Sequence, residues 1–134
     1  MALTLPLLVI MLLGTIDIGQ VVNTGQVVSN ASRVAARKAS VHRTKTVSEV
    51  EAEVISYLNN YFPQRTAAEL DAATTVSISW ADGTSISGNG LGAIPEGEKL
   101  QVTVSFDYAS TRWVRGITAL NGRMVQVTTT IRRM

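Results

Sequence analysis

Hydrophobic and polar positions along the chain fall into three successive patterns. The first is MALTLPLLVIMLLGTIDIGQVV, whose first sixteen residues carry no charge and whose lone acid is Asp17. A bilayer-crossing helix needs roughly 20 apolar residues, whereas the apolar core of a signal peptide needs only about 7–15. Met1 to Val22 reaches the first mark if Asp17 and Gln20 lie near its end. No Lys or Arg precedes the run, no small-x-small cleavage site is followed by a polar start, and the helical pattern continues past Val22. The segment therefore reads as a retained membrane-crossing helix. The second pattern has a helical period. Val21, Val22, Val27, Val28, Ala31, Val34, Ala35, Ala39 and Val41 recur mostly at steps of three and four, with small polar residues between them, which predicts one helix running on to about residue 40. At 1.5 Å per residue that is a rod of about 60 Å, longer than the roughly ninety remaining residues can cover.

The stretch VHRTKT has no apolar period, and Thr46-Val47-Ser48-Glu49 then matches a capping box, in which a hydroxyl and a carboxylate three residues on satisfy free helix N–H groups. Val47, Val50, Val54, Tyr57, Leu58 and Tyr61 follow at helical spacing, so a second amphipathic helix should end near Phe62-Pro63. A further Thr-x-x-Glu, Thr66 to Glu69, opens a possible short turn. Beyond residue 73 the period becomes 2. Val76, Ile78 and Trp80 alternate with Ser77 and Ser79. Leu100, Val102, Val104, Phe106 and Tyr108 form a second such file, and Val125, Val127, Thr129 and Ile131 a third. These are three half-buried antiparallel strands. Residues 81–98 hold five of the ten glycines and should form an exposed loop. Residues 109–122 carry Trp113, Val114, Ile117 and Leu120 and end in Asn121-Gly122, which predicts a short helix or hydrophobic flap closed by a tight turn. The fold class is α+β: a long N-terminal apolar helix, a second helix and a three-stranded antiparallel sheet, divided as residues 1–41 and a head of residues 42–134.

Composition narrows the chemistry. The absence of cysteine excludes disulfides, thiolate metal sites and cysteine nucleophiles. A formal charge of +2 is too mild to argue for nucleic acid. The basic residues are nevertheless uneven: Arg33, Arg37, Lys38, Arg43 and Lys45 fall within thirteen positions, directly after the apolar run. His42 is the single histidine and sits among cations in a turn, where a solvated side chain is expected rather than a general base. No phosphate loop, nucleophile elbow or metal cluster is present, and Asp82 is the single carboxylate of DGTSISGNG, too few for a hard cation. The expectation is a non-enzyme without cofactor or metal. Asn30-Ala31-Ser32 is formally a glycosylation sequon, but it lies within a predicted packing helix.

Met1, Ala2, Leu3, Pro6, Gly14, Asp17 and Gly19, followed by Asn30, Ala31, Arg33, Ala35, Ala36 and Arg37 in NASRVAAR, resemble the TadE-like proteins of tight adherence (Tad) pilus systems, a pilin-related branch of the type IV filament superfamily. The resemblance covers about the first forty residues. It implies a type IV pilin-like fold and a structural pilin that waits in the inner membrane and then polymerises through its N-terminal helix into a helical surface filament, used for cell adhesion. A pilus assembly platform and a prepilin peptidase are the implied partners. Relatives carry a glutamate near the mature N-terminus. Here Leu5 stands at the usual fifth position, and the family pattern would put the glutamate immediately before Met1, so the sequence as given should lack its first few mature residues. Pro6, Gly14, Asp17, Gly19, Gly25, Ala31, Ala35 and Ala36 are the candidate filament-core and helix-packing residues, since small side chains favour helix contacts in apolar media. Asp17, with Arg33 or Arg37 of a neighbouring copy, is the candidate inter-subunit charge pair. A minor pilin, a secretion-system pseudopilin and a membrane-anchored extracytoplasmic binding module are the alternatives.

Overall fold

The computed structural model describes residues 4–110 and 124–134. Three helices, α1 (Thr4–Ser40), α2 (Val47–Tyr61) and α3 (Ala67–Ala73), precede strands β1 (Thr74–Trp80), β2 (Ser85–Ile86), β3 (Lys99–Asp107) and β4 (Met124–Arg132), with short 3-10 turns at Gly88–Ala93 and Tyr108–Ser110. The strands form one antiparallel sheet in the order β2-β1-β3-β4. The α+β layout agrees with the sequence reading. The described residues contain four strands where the periodicity predicts three, because Asp82-Gly83 turns the chain back on β1 and adds the two-residue β2. Gly83 adopts φ 91°, open to glycine without strain, and Asp82 Oδ1 accepts the Thr84 N–H at 2.8 Å. The predicted flap within residues 111–123 lies outside the described residues.

Helix boundaries follow local chemistry. Thr46 caps α2 by accepting the Glu49 N–H at 3.3 Å, but the Glu49 carboxylate meets the Thr46 hydroxyl instead of its N–H, so half of the predicted box forms. At α3 the box is complete: the Glu69 N–H donates to Thr66 Oγ1 at 3.3 Å and the Thr66 N–H donates to Glu69 Oε2 at 2.9 Å. The weaker of the two sequence signals thus opens a real helix. Pro63 follows Phe62, the C-cap residue of α2.

Register sets the core. Val76 faces Val104 and Ile78 faces Val102, while Leu100, Val102, Val104 and Phe106 face Ile131, Thr129, Val127 and Val125. The three alternating files therefore line one face of the sheet. Against it, α1 lies over β3 and β4, and α2 packs over β1. Val50, Val54 and Leu58 are fully buried on the inner side of α2. Val28, Ala31, Ala35 and Ala39 are fully buried along α1, and their spacing of three or four keeps them on one side of the helix. Residues 27–39 of α1 thus share one core with the head. The outer face of the sheet is polar, with Ser77, Thr103, Ser105, Gln126 and Thr128 among its residues.

The last residues close the structure. Arg133 is buried, and its guanidinium donates to the carbonyls of Ala39 at 3.3 Å, His42 at 3.4 Å and Thr44 at 3.1 Å. The final carbonyls of a helix lack partners and carry partial negative charge, which a cation at that end satisfies. The Met134 N–H donates to Ser40 O at 2.9 Å, and the Arg133 N–H donates to Glu98 O at 2.9 Å. One dipeptide therefore ties the end of α1 to the start of β3.

The closing contacts of Arg133 and the capping box of α3 each lead to an expected outcome. Arg133→Ala should destabilise the full chain in detergent by about 3 kcal/mol, given roughly 1.5–3 kcal/mol for a hydrogen bond to a charged group, read from the urea midpoint. Glu69 has its pKa lowered by the backbone and then the hydroxyl hydrogen bonds of Thr66. Its contribution is present above the ordinary carboxylate range and is lost as pH falls through the depressed folded value. Thr66→Ala should cost about 1 kcal/mol near neutrality, and Glu69→Gln should flatten the acid limb of stability against pH, both checked by denaturant titration across pH.

Candidate functional site: the helical stem and its junction with the head

The N-terminal part of α1 leaves the head and presents apolar side chains in every direction. Leu5, Leu7, Leu8, Ile10, Met11 and Leu12 are all more than half exposed, and α1 is long and apolar enough to cross a membrane. A helix that is apolar all round belongs in an apolar surrounding. Its backbone is hydrogen-bonded within the helix, and the Thr15 hydroxyl donates to Met11 O at 2.9 Å, so neither opposes transfer out of water. From Asp17 onward the pattern changes. Asp17, Thr24, Val28, Ala31, Ala35 and Ala39 lie on the covered side, while Ile18 and Val22 remain exposed. The stem is thus one continuous helix with an uncovered apolar part and an amphipathic part.

At the junction stands a polar contact between residues ninety-one positions apart. Asp17 is 2% exposed and Tyr108 1%, and the Tyr108 hydroxyl reaches Asp17 Oδ1 and the Asp17 carbonyl, each at 3.3 Å. Tyr108 continues the inner-face file of β3 past the strand end, which aims it at α1. A carboxylate in an apolar helix is costly unless it has polar partners, and Tyr108 supplies one from the head.

Pro6 is exposed in the opening turn of α1. Among the described residues nothing crowds Gly14, Gly19 or Gly25: a methyl group added at any of them would meet none of those residues within 4 Å. Each glycine costs about 1 kcal/mol against alanine in a helix interior, and no contact with a described residue requires that sacrifice. Ala31, Ala35 and Ala36 are buried in the chain's own core, so their small size is used within the head. Arg33 and Arg37 are exposed on α1. Arg33 stands sixteen residues, about 24 Å of helix, from Asp17, so the two cannot meet within one chain. The ion pairs among the described residues are Lys38–Glu53 at 3.2 Å and Arg65–Glu69 at 3.9 Å.

Elsewhere the head offers less. An open cleft of about 430 Å³ is lined by Trp80, Asp82, Glu98, Lys99 and Arg132 at the end remote from the stem. His42 is exposed, and among the described residues no three His, Cys, Asp or Glu side chains gather as a metal ion needs. Sequence reasoning picked out Asp17 but missed Tyr108 as its partner. The signal was a tyrosine on an inward-facing position, whose hydroxyl has to find a hydrogen-bond partner.

No curated protein and no solved structure matches the chain. Residues 1–37, which hold the uncovered stem, the Asp17 junction and the alanine-rich turns, match the family model described as TadE-like protein, which agrees with a membrane-anchored, Tad pilus-associated protein.

Proposed function

We propose that this chain is a structural pilin subunit of a Tad-like, type IV-like pilus, held in the inner membrane by its stem and polymerised into a helical surface filament by the same stem. The observation that carries this reading is the pairing of an uncovered, all-round apolar helix with three interior glycines that nothing among the described residues makes necessary. Apolar surface of this extent needs cover from lipid or from copies of itself. Glycines at helix surfaces permit close helix–helix approach in apolar media, and contacts between copies that do not close on themselves propagate as a filament. Asp17 with Arg33 or Arg37 of a neighbour remains the candidate charge pair of such a polymer, with Tyr108 holding the acid before assembly. A pilus assembly platform and a prepilin peptidase are the partners this reading requires.

Because a side chain at Gly14, Gly19 or Gly25 meets no described residue, Gly14→Leu, Gly19→Leu and Gly25→Leu should fold and insert into membranes normally. Cells producing them should shed no filament containing the protein, while cells with the unaltered chain yield thin filaments whose core holds the α1 helices by cryo-electron microscopy. Normal filaments from all three variants would overturn the polymerisation reading. Unaltered protein abundant in the membrane with no filament containing it would instead favour the minor-pilin, pseudopilin or anchored-module alternatives.

A further inference from the structure

The face of the sheet turned away from α1 and α2 carries uncharged hydroxyl and amide side chains that the strand register sets in rows. Ser77 stands opposite Thr103, and Thr103 opposite Thr128, the two threonine hydroxyls lying 2.9 Å apart. Thr75, Ser105 and Gln126 form the row on one side of these, and Ser79, Gln101 and Thr130 the row on the other. None of the nine is buried, and none is charged. Strands lie about 4.8 Å apart and residues two apart along a strand about 6.8 Å, so hydrogen-bonding groups recur in two directions across the face.

One row further on, the same alternation places Lys99 opposite Arg132, and there the face runs into the cleft of about 430 Å³ that Trp80, Asp82 and Glu98 also line. Cations directly opposite each other weaken a sheet, so stability does not account for this pair. Two carboxylates balance the two cations, yet the ion pairs among the described residues are Lys38–Glu53 and Arg65–Glu69, so none of the four charges in the cleft neutralises another. Asp82 Oδ1 takes the Thr84 N–H at 2.8 Å. Charged donors and charged acceptors therefore share a cleft whose formal charges cancel.

This balance specifies the chemistry of a partner. A protein partner needs an apolar or aromatic centre to bury against, and the three rows offer none. An anionic polymer would meet Asp82 and Glu98, and a cationic one Lys99 and Arg132. A neutral chain rich in hydroxyl groups is matched throughout, because each Ser or Thr hydroxyl both donates and accepts, and hydrogen bonds to charged groups are the stronger ones. Trp80 adds to the cleft an aromatic residue of the kind that ligand sites favour.

We infer that the outer face of the sheet and the cleft at its end form a binding surface for an extended, neutral polysaccharide. Such a chain meets several rows at once. In the cleft Lys99 and Arg132 donate to sugar oxygens, and Asp82 and Glu98 accept from sugar hydroxyls. One copy of the chain carries the whole surface, so the inference goes beyond polymerisation and does not draw on it.

For the test, the full chain is reconstituted into phosphatidylcholine vesicles, which are mixed with microcrystalline cellulose and, as a charged form of the same polymer, with cross-linked carboxymethyl cellulose. Vesicles bearing the unaltered chain should sediment with cellulose several-fold more than protein-free vesicles do, and more than with carboxymethyl cellulose. Thr128→Glu sets a charge in the middle row, and Glu98→Gln removes a charged acceptor from the cleft. Each should lower retention several-fold at an unchanged urea midpoint, while Asn60→Asp, on the exposed side of α2, should leave it unaltered. Failure of the unaltered chain to bind cellulose, or equal retention of Thr128→Glu and Glu98→Gln, would overturn the inference. Stronger retention on carboxymethyl cellulose would overturn it too, by assigning the surface to an anionic partner.

Discussion

Close approach of α1 to β3 and β4 is the constraint on which the rest of the structure depends. A helix can lie tightly on a twisted sheet only where its facing side chains are small, and Ala31, Ala35 and Ala39 supply that strip with no exposed surface left over. Larger residues would lift the helix and uncover Val125, Val127 and Ile131 of β4, an edge strand with no other layer described over it. With the helix seated, the sheet gains its second layer, α2 finds a place beside α1 over β1, and the continuation of α1 beyond the sheet becomes the stem. The projection of the stem is therefore a by-product of how the head is packed.

Seating of this kind has no intrinsic register, since one turn of an alanine strip resembles the next. Polar contacts remove that ambiguity. The Ser32 hydroxyl meets the Thr129 hydroxyl at 2.6 Å midway along the interface. Tyr108 meets Asp17 at one end, and the Arg133 guanidinium meets the final carbonyls of α1 at the other. Sliding α1 by one turn would break all three contacts, at a penalty of about 1–3 kcal/mol for each neutral group so unsatisfied and more for a charge. Apolar contact holds the helix on the sheet, and three hydrogen-bonded positions fix where along the sheet it stops.

Much of this was legible in the sequence because it is periodic. The files Val76–Ile78–Trp80, Leu100–Val102–Val104–Phe106 and Val125–Val127–Thr129–Ile131 pair across the sheet as their alternation implied, and α1 and α2 end within a residue or two of their predicted limits. Strand β2 was not legible by periodicity, because two residues have no period; the Asp-Gly turn before it was the available signal. The alanines of α1 posed a different problem. Small residues at helical spacing suit a neighbour's helix and the chain's own sheet equally well, and only tertiary structure assigns Ala31, Ala35 and Ala36 to the latter. The partners of Asp17 and Arg133 were hidden for a simpler reason, since each lies about ninety residues away along the chain. Of the candidate site, the apolar stem, its glycines and its acid could be read directly; the groups that the head brings to them could not.

The stitching of the final dipeptide to Ser40, Ala39 and Glu98 also decides how the chain would carry load. A pull along α1 is not delivered to the head through the turn after Ser40 alone. It passes at once into the carboxyl end of β4 through the Arg133 and Met134 contacts, and at mid-helix through Ser32 and Thr129. These bonds join a helix to the strand that runs beside it, so tension along their common direction loads them together, as rivets in a lap joint share shear, instead of one after another as in a zipper. The same few contacts that set the register of the stem would make it hard to draw out of its own head.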